Sequence, residues 1–339
     1  MTGQAIPPAS LPGEFDLIAR YFAPIAAAYP GALGLKDDAA FLDLAPGHQM
    51  VATTDAIVAG VHFLADDPPD LIAKKLVRVN VSDLAAKGAK PVACLLALTL
   101  PRGTTPMWLE AFARGLADDC AAFSIPLVGG DTTATDGPLT LALTALGEVP
   151  VGQGSLRSGA KVGDRIFVTG TIGDGALGLE VAKGGLLELA IPLREYLLHR
   201  YRIPEPKMAL GIALRGLIHA AIDVSDGLLA DLGHICETSG VAADIQAAMV
   251  PMSDGVQIAL AKDPALLARV LGGGDDYELL FTADPNDSDR IINIGIEVGV
   301  PVTGIGFIVS ESAREVERVR VADLSTVKTM LSFAGYRHF

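Results

Sequence analysis

Cysteine is scarce in this chain: Cys94, Cys120 and Cys236 are the 3 present in 339 residues. Odd in number and far apart, they exclude a disulfide framework and show no zinc-type pairing, and they fit free thiols in a reducing cytoplasm. Basic residues are also few, with 26 Lys plus Arg against 40 Asp plus Glu, so the formal net charge is −14. A surface of that sign repels nucleic acid and anionic lipid, and the expectation is a protein that binds neither nucleic acid nor membrane. An anionic ligand must then be held locally, by bound divalent cations or by isolated basic residues. Long apolar runs are missing too. Val92–Leu100 has about half the length a membrane span needs, and the Met1–Glu14 segment carries Pro and Gly where a secretory signal needs a basic start and an apolar centre. A cytoplasmic location is expected. Neither a Gly-x-x-x-x-Gly-Lys-Ser/Thr loop nor a Gly-x-Gly-x-x-Gly turn after a strand occurs, so any nucleotide needs another cradle.

What the chain does have is a large apolar fraction, 50%, with 19% charged residues. That is enough to bury the cores of two domains of roughly 150–190 residues each. Phe15, Ile18, Ala19, Phe22 and Ile25 have the spacing of one helical face. Short strands are expected at Ala40–Leu44 and Met50–Thr54, a helix from Asp70 to Gly88, and a buried strand at Lys90–Thr99. A helix over Thr105–Phe123, a strand at Pro126–Val128, a loop at Gly129–Thr133 and a strand at Leu139–Val149 follow. Pro150, Gly152, Gly154, Ser155, Ser158 and Gly159 then mark a change of composition. We place the boundary there, giving domains 1–150 and 151–339. The second half alternates in the same way, from strand Arg165–Thr169 to strand Val302–Val309. The fold class is α/β, in layers of mixed sheet and helix.

The chemistry sits on acidic loops. Val51-Ala52-Thr53-Thr54-Asp55 ends an apolar run with two hydroxyls and a carboxylate, and His62 follows seven residues after Asp55. Asp37-Asp38, Ser82-Asp83, Gly129-Gly130-Asp131, Asp223-Val224-Ser225-Asp226 and Asp275-Asp276 are spread along the rest. At about 5 Å and an effective dielectric near 20, each pair of unit charges repels by roughly 3 kcal/mol, so a gathering of these loops requires cations. Hard oxygen donors without Cys or His point to Mg2+, in several ions. If the loops instead lie apart, they are caps and turns on a solvated face. Glycines in the stretches Gly129-Gly130-Asp131, Gly170–Gly175 and Gly272–Asp276 allow main-chain N–H groups to face a phosphate, or simply make tight turns. Arg157 is either a bidentate polyphosphate contact or a solvated linker charge. His62 is either a ligand or a structural histidine.

Taken in order, Asp37-Asp38-Ala39-Ala40, Thr53-Thr54-Asp55 through His62-Phe63, Val79-Asn80-Val81-Ser82-Asp83-Leu84-Ala85-Ala86, Gly129-Gly130-Asp131-Thr132, Arg157-Ser158-Gly159-Ala160, Asp223-Val224-Ser225-Asp226-Gly227-Leu228 and Gly274-Asp275-Asp276-Tyr277-Glu278-Leu279 resemble the thiamine-monophosphate kinase family. The resemblance runs from about residue 13 to Phe339. It implies a two-domain fold like that of aminoimidazole ribonucleotide synthetase, with an amino-terminal ATP-, metal-binding and dimerisation domain whose sheet pairs in a homodimer, and a carboxy-terminal domain completing the site. It implies transfer of the ATP γ-phosphoryl group to thiamine monophosphate, giving thiamine diphosphate, the last step in making that cofactor. By position, it implies Mg2+ on Asp38, Thr53, Thr54, Asp55, Asp83, Asp131, Asp223 and Asp226. It further implies ATP on Gly130, Asp131, Arg157 and Ser225, and thiamine monophosphate on His62, Asp275 and Tyr336. Two departures stand out. Asp275 replaces a usual Glu, one methylene shorter, and Ala113 replaces an aromatic that would stack on adenine.

No side chain is expected to act as a general acid or base. The acceptor phosphate, with a second pKa near 6, is already largely ionised at neutral pH, so charge neutralisation and alignment are the chemistry required. Two other readings use the same residues: another ATP-dependent enzyme of the superfamily, such as an aminoimidazole ribonucleotide synthetase, or a non-catalytic nucleotide- and metal-binding module.

Overall fold

The computed structural model describes Leu11, residues 13–311 and residues 318–322. Two compact units divide the chain, and neither is continuous in sequence. The first takes residues up to Pro46 with Ala52–Asn80 and Pro91–Glu148; the second takes Gly47–Val51, Val81–Lys90 and the chain from Val149 onward. The expected mixed α/β class is what forms, with two sheets and their helices.

In the first unit α1 (Glu14–Leu17), a π-helical turn (Ile18–Phe22) and α2 (Ala23–Ala26) form the helical start. The buried face is Leu17, Tyr21, Phe22 and Ala26, while Phe15 is exposed, so it differs from the face the regular spacing suggested. A π-turn closes i→i+5 bonds and shifts the phase of the side chains that follow. After it come β1 (His48–Val58), α3 (Pro69–Ala86), β2 (Lys90–Pro101), α4 (Pro106–Ala122), β3 (Leu127–Thr135) and β4 (Thr140–Pro150). The sheet order is β1-β4-β2-β3, with β2 and β3 parallel. Along β4, Leu141, Leu143, Ala145 and Val149 are buried and their neighbours are not, the period-two pattern of a sheet with one apolar face. Helix α4 starts on Thr105, whose hydroxyl accepts from the Trp108 N–H, with Pro106 in the first turn where it has no N–H to lose.

Two local expectations change. No strand forms at Ala40–Leu44: Phe41 N donates to the Gly31 carbonyl, and its ring lies 73% exposed. The stretch Gly129–Thr133 is strand rather than loop, because it pairs in register with β2, Leu96 opposite Gly130 and Ala97 opposite Asp131. Any Cβ at Gly130 would collide with the Leu96 carbonyl oxygen, so glycine is what lets the two backbones approach.

The second unit runs β5 (Arg165–Thr169), α5 (Asp174–Ala182), α6 (Ile191–Arg202), α7 (Met208–Ala213), β6 (Ala220–Asp223), α8 (Leu228–Ser239), β7 (Val241–Gln246), α9 (Asp254–Lys262), α10 (Leu267–Gly272), β8 (Leu279–Ala283), α11 (Ser288–Glu297), β9 (Val302–Ser310) and β10 (Val319–Ala322). Its sheet has the order β10-β7-β9-β5-β8-β6; β10 and β7 are parallel and the other pairs antiparallel. Both faces are apolar. Ile166 and Val168 pack with Leu228, Leu232 and Ile235 of α8, while Phe167 turns to Phe281, Leu210, Leu214 and Ile291. Burial on both faces explains why β5, β6 and β8 read as unbroken apolar runs.

Candidate active site

Strand β6 ends on Asp223, which is buried, and the chain then turns through Val224–Gly227 into α8. Ser82, buried near the end of α3, donates its hydroxyl to Asp223 Oδ2 at 2.7 Å. Asp83 is the next residue, and Lys87 lies one helical turn further on, its N–H bonded to the Asp83 carbonyl at 3.1 Å. Burial pulls the Lys87 ammonium below its ordinary pKa; the Arg157 charge adds to this, and Asp83 and Asp223 oppose it. The segment carrying Arg157 is tied to the same point, since Ser155 N donates to the Lys87 carbonyl. Two cations and two of the predicted metal-binding carboxylates thus share one electrostatic neighbourhood.

The turn after β6 is held from two sides. Gly227 takes φ +119° with its Cα against the Gly272 and Gly273 carbonyls, a place a side chain cannot occupy. Asp275 N donates to the Ser225 carbonyl at 3.0 Å and Tyr277 N to that of Val224 at 2.8 Å, while Val224 N donates to the Glu278 carbonyl. Ser225 and Asp275, predicted separately for ATP and for the acceptor, therefore sit on one hydrogen-bonded pair of turns. Asp275 and Tyr277 adopt φ of +70° and +51°. For residues with a Cβ this is uncommon, and a strand expected from the sequence at Tyr277–Thr282 begins instead at Leu279.

In the first unit, Thr53 and Asp55 share one side of β1 and Thr54 points to the other, as alternate residues of a strand must. Thr54 Oγ1 donates to the Leu143 carbonyl at 3.2 Å and receives the Thr144 hydroxyl at 3.1 Å. Asp55 N donates to the side chain of Asn80 on α3, and Asn80 is itself fixed to the Leu76 carbonyl. His62 Nδ1 accepts the Val58 N–H at 3.1 Å, so its neutral form carries the proton on Nε2. Asp38, Gly130 and Asp131 line one cavity of about 890 Å³. Asp37 turns its carboxylate back onto the Asp38 N–H. Tyr336 lies outside the described residues.

Sequence comparison adds a decisive observation. Residues 36–149 match the model of the AIR synthase related protein N-terminal domain, and residues 161–318 that of the C-terminal domain. The thiamine-monophosphate kinase of Caulobacter vibrioides is 46% identical over 308 residues, covering 90% of this chain and 86% of its own. The chain belongs to the thiamine-monophosphate kinase family. The crystal structure of the thiamine-monophosphate kinase of Stenotrophomonas maltophilia superposes with a TM-score of 0.81 at 40% identity, covering 93% of this chain and 98% of that one. A further relative, AaThiL complexed with AMPPCP and TMP, gives 0.72 at 30% identity over 84% of this chain and 87% of that one. As a member of the thiamine-monophosphate kinase family, the chain is an enzyme, a phosphotransferase acting on thiamine monophosphate.

Around the Ser225–Gly227 turn, the structure also brings in residues that the sequence did not single out. Asp231, in the first turn of α8, is buried and accepts the N–H groups of Ser225, Asp226 and Gly227, all on Oδ2 and each at 3.1 Å. Burial raises its pKa well above the ordinary carboxylate value, and the Asp223 and Asp226 charges raise it further. Asp226, Asp231 and the exposed His234 each offer an atom within 4.8 Å of the others. The signal was an acidic residue in the helix that follows a Ser-Asp-Gly turn, but spacing alone does not say which way its carboxylate points.

The glycine-rich turn before α5 also proves different from a phosphate cradle. Gly173 N and Gly175 N donate to the buried carboxylate of Asp276, at 2.7 and 2.9 Å. Around them, Arg200 of α6 donates to Glu278 at 2.7 Å, Lys207 lies 3.2 Å from the same Oε1, and Thr169 donates to the other oxygen. Asp174 accepts from Thr171, Ser253 and Tyr196. A buried, paired network of this kind fixes local conformation, since a lost partner leaves a charge unpaired.

Proposed function

We propose that this enzyme transfers the γ-phosphoryl group of ATP directly to the phosphate of thiamine monophosphate, releasing thiamine diphosphate and ADP. The observation that carries the proposal is the meeting of Asp83, Asp223, Lys87 and Arg157 beside the Ser225–Asp226 turn, in a chain whose relative AaThiL was solved with AMPPCP and TMP. The acceptor brings its own negative oxygen at neutral pH, so the residues need only bind, align and neutralise. Lys87 and Arg157 are positioned to offset phosphate charge, and Ser225 to donate a hydroxyl hydrogen bond. Asp275, His62 and Tyr336 are assigned to the acceptor, and Gly130 and Asp131 to the nucleotide. The cavity shared by Asp38, Gly130 and Asp131 supports placing nucleotide there.

The donor set fits magnesium. The groups at issue are hard oxygens on Asp38, Thr53, Asp55, Asp83, Asp131, Asp223 and Asp226, with Thr54 turned to the opposite side of β1, and a cation would relieve the Asp223 and Asp226 repulsion that adds to burial at Asp231. These carboxylates would hold Mg2+, which when bound would supply positive charge to offset that of the phosphates. Between Asp37 and Asp38 we assign the ligand to Asp38, because the Asp37 carboxylate is already engaged by a backbone N–H. We assign residues 1–150 to ATP and metal binding and to pairing in a homodimer, and residues 151–339 to completing the site. The three free cysteines, all buried, agree with a cytoplasmic setting, and no helix among the described residues is long and apolar enough to cross a membrane.

Incubating purified protein with Mg2+, ATP and thiamine monophosphate is expected to yield thiamine diphosphate, and no product at any Mg2+ concentration rejects the proposal. With ATP chiral at the γ-phosphorus, inversion is expected. Retention would reveal a phosphoenzyme instead.

A further inference from the structure

Three successive N–H groups, those of Ser225, Asp226 and Gly227, converge on one oxygen of Asp231. Consecutive amides that point into one concavity form a nest for an anion. Here the chain fills its own nest, with a side chain only 1% exposed, four to six residues further on. A phosphate therefore cannot use these amides, and the turn has to act through its side chains. The second face of the turn is closed as well: Gly274 packs against the Ser225 carbonyl so closely that a Cβ would collide with it, and Asp275 N donates to that same oxygen. With its amides held on one side and its carbonyl on the other, Ser225–Gly227 has one conformation available, and the directions of the Ser225 hydroxyl and the Asp226 carboxylate follow from it.

We propose that Asp231 is a positioning residue for phosphoryl transfer, which aims Ser225 and Asp226 at magnesium and nucleotide by occupying the amide nest of their own turn. The inference rests on the function proposed above. Its content is geometric: what matters is one acceptor oxygen at one place, and the negative charge that comes with it is secondary. Asp231→Asn keeps an oxygen at that place and removes the charge, whereas Asp231→Glu keeps the charge and displaces the oxygen by a methylene. Displacement of an aligned group by about 1 Å lowers turnover on the order of 100-fold.

The test uses the full chain and both variants. Mn2+ binding is read from the electron paramagnetic resonance of the free ion, with and without ATP. Thiamine diphosphate formation and melting temperature are measured alongside. Asp231→Asn is expected to bind Mn2+·ATP more tightly and to turn over about 100-fold faster than Asp231→Glu, whose displaced oxygen weakens binding and lowers kcat. The reverse order of the two variants would make charge the operative property and overturn the proposal. So would equal activity in both, or a loss that tracks melting temperature alone with Mn2+ affinity unchanged. Failure of either variant to fold leaves the other to decide: a folded Asn variant without Mn2+·ATP binding, or a folded Glu variant with wild-type binding, is enough to reject the idea. Mn2+ binding needs no turnover, so a wild type that makes no thiamine diphosphate would count against the proposed function and leave the Asp231 comparison readable.

Discussion

Single aspartates carry the sharpest expectations. Asp83→Asn, or Asp131→Asn, keeps the volume and one acceptor of the side chain and removes its charge, so thiamine diphosphate formation should fall by at least about 100-fold as metal and positioning stabilisation is lost. The melting temperature should change little; full activity in either variant removes that residue from the site. Cys236 gives a negative counterpart. It is wholly buried on the core face of α8, and burial pushes its thiol up to about 12, so it should resist alkylation by iodoacetamide in the native protein and react only on unfolding. Rapid labelling of native Cys236, read by mass spectrometry, would contradict that packing. At this scale the sequence located the Asp223–Asp226 turn between a strand and a helix, while the metal-binding role of these two carboxylates stays a proposal. Asp231, on α8, and Lys87, in the turn after α3, were passed over because a carboxylate or ammonium at such a place is ordinarily a solvated charge. Only the burial of each shows otherwise.

The elements show a different division. Long periodic segments such as α3, α4 and β4 were legible because one apolar stripe or one alternating face had to be buried. Helix α6 was not, since Arg194, Tyr196, Arg200 and Tyr201 lack an obvious stripe; Arg200 is nevertheless buried, by pairing with Glu278. Nor was the role of the Gly170–Gly175 turn, whose amides meet Asp276 from a hundred residues away. That contact predicts a pH dependence. Burial, before any other cause, holds Asp276 well above its ordinary value of 3.8, against the pull of the Gly173 and Gly175 amides. The fold thus prefers the protonated form. The stability this group contributes is complete below about pH 3.8 and is lost as pH rises through the elevated folded value. Asp276→Asn cannot ionise, so urea unfolding of the two proteins across this range should show the variant gaining on wild type as pH increases. Parallel stability curves would mean that Asp276 ionises in the fold as readily as in the unfolded chain.

For the molecule as a whole, a net charge of −14 and clustered aspartates leave the protein working against itself until cations and nucleotide arrive. Ligand that binds only the folded state adds stability by mass action, about 2.7 kcal/mol at a hundred times its Kd. Calorimetry should show ATP raising the melting temperature with Mg2+ present and much less with chelator; an equal rise in both would separate nucleotide binding from the carboxylates. The layout of strand β1 constrains how such a chain can change over time. Because Thr53 and Asp55 share one side and Thr54 the other, inserting or deleting one residue just before Thr53 would exchange the two sets and bring the wrong donors forward. Length variation between relatives should therefore accumulate at the Pro46–Gly47 bend and not along β1, where even a single-codon change would scramble the chemistry while sparing the composition.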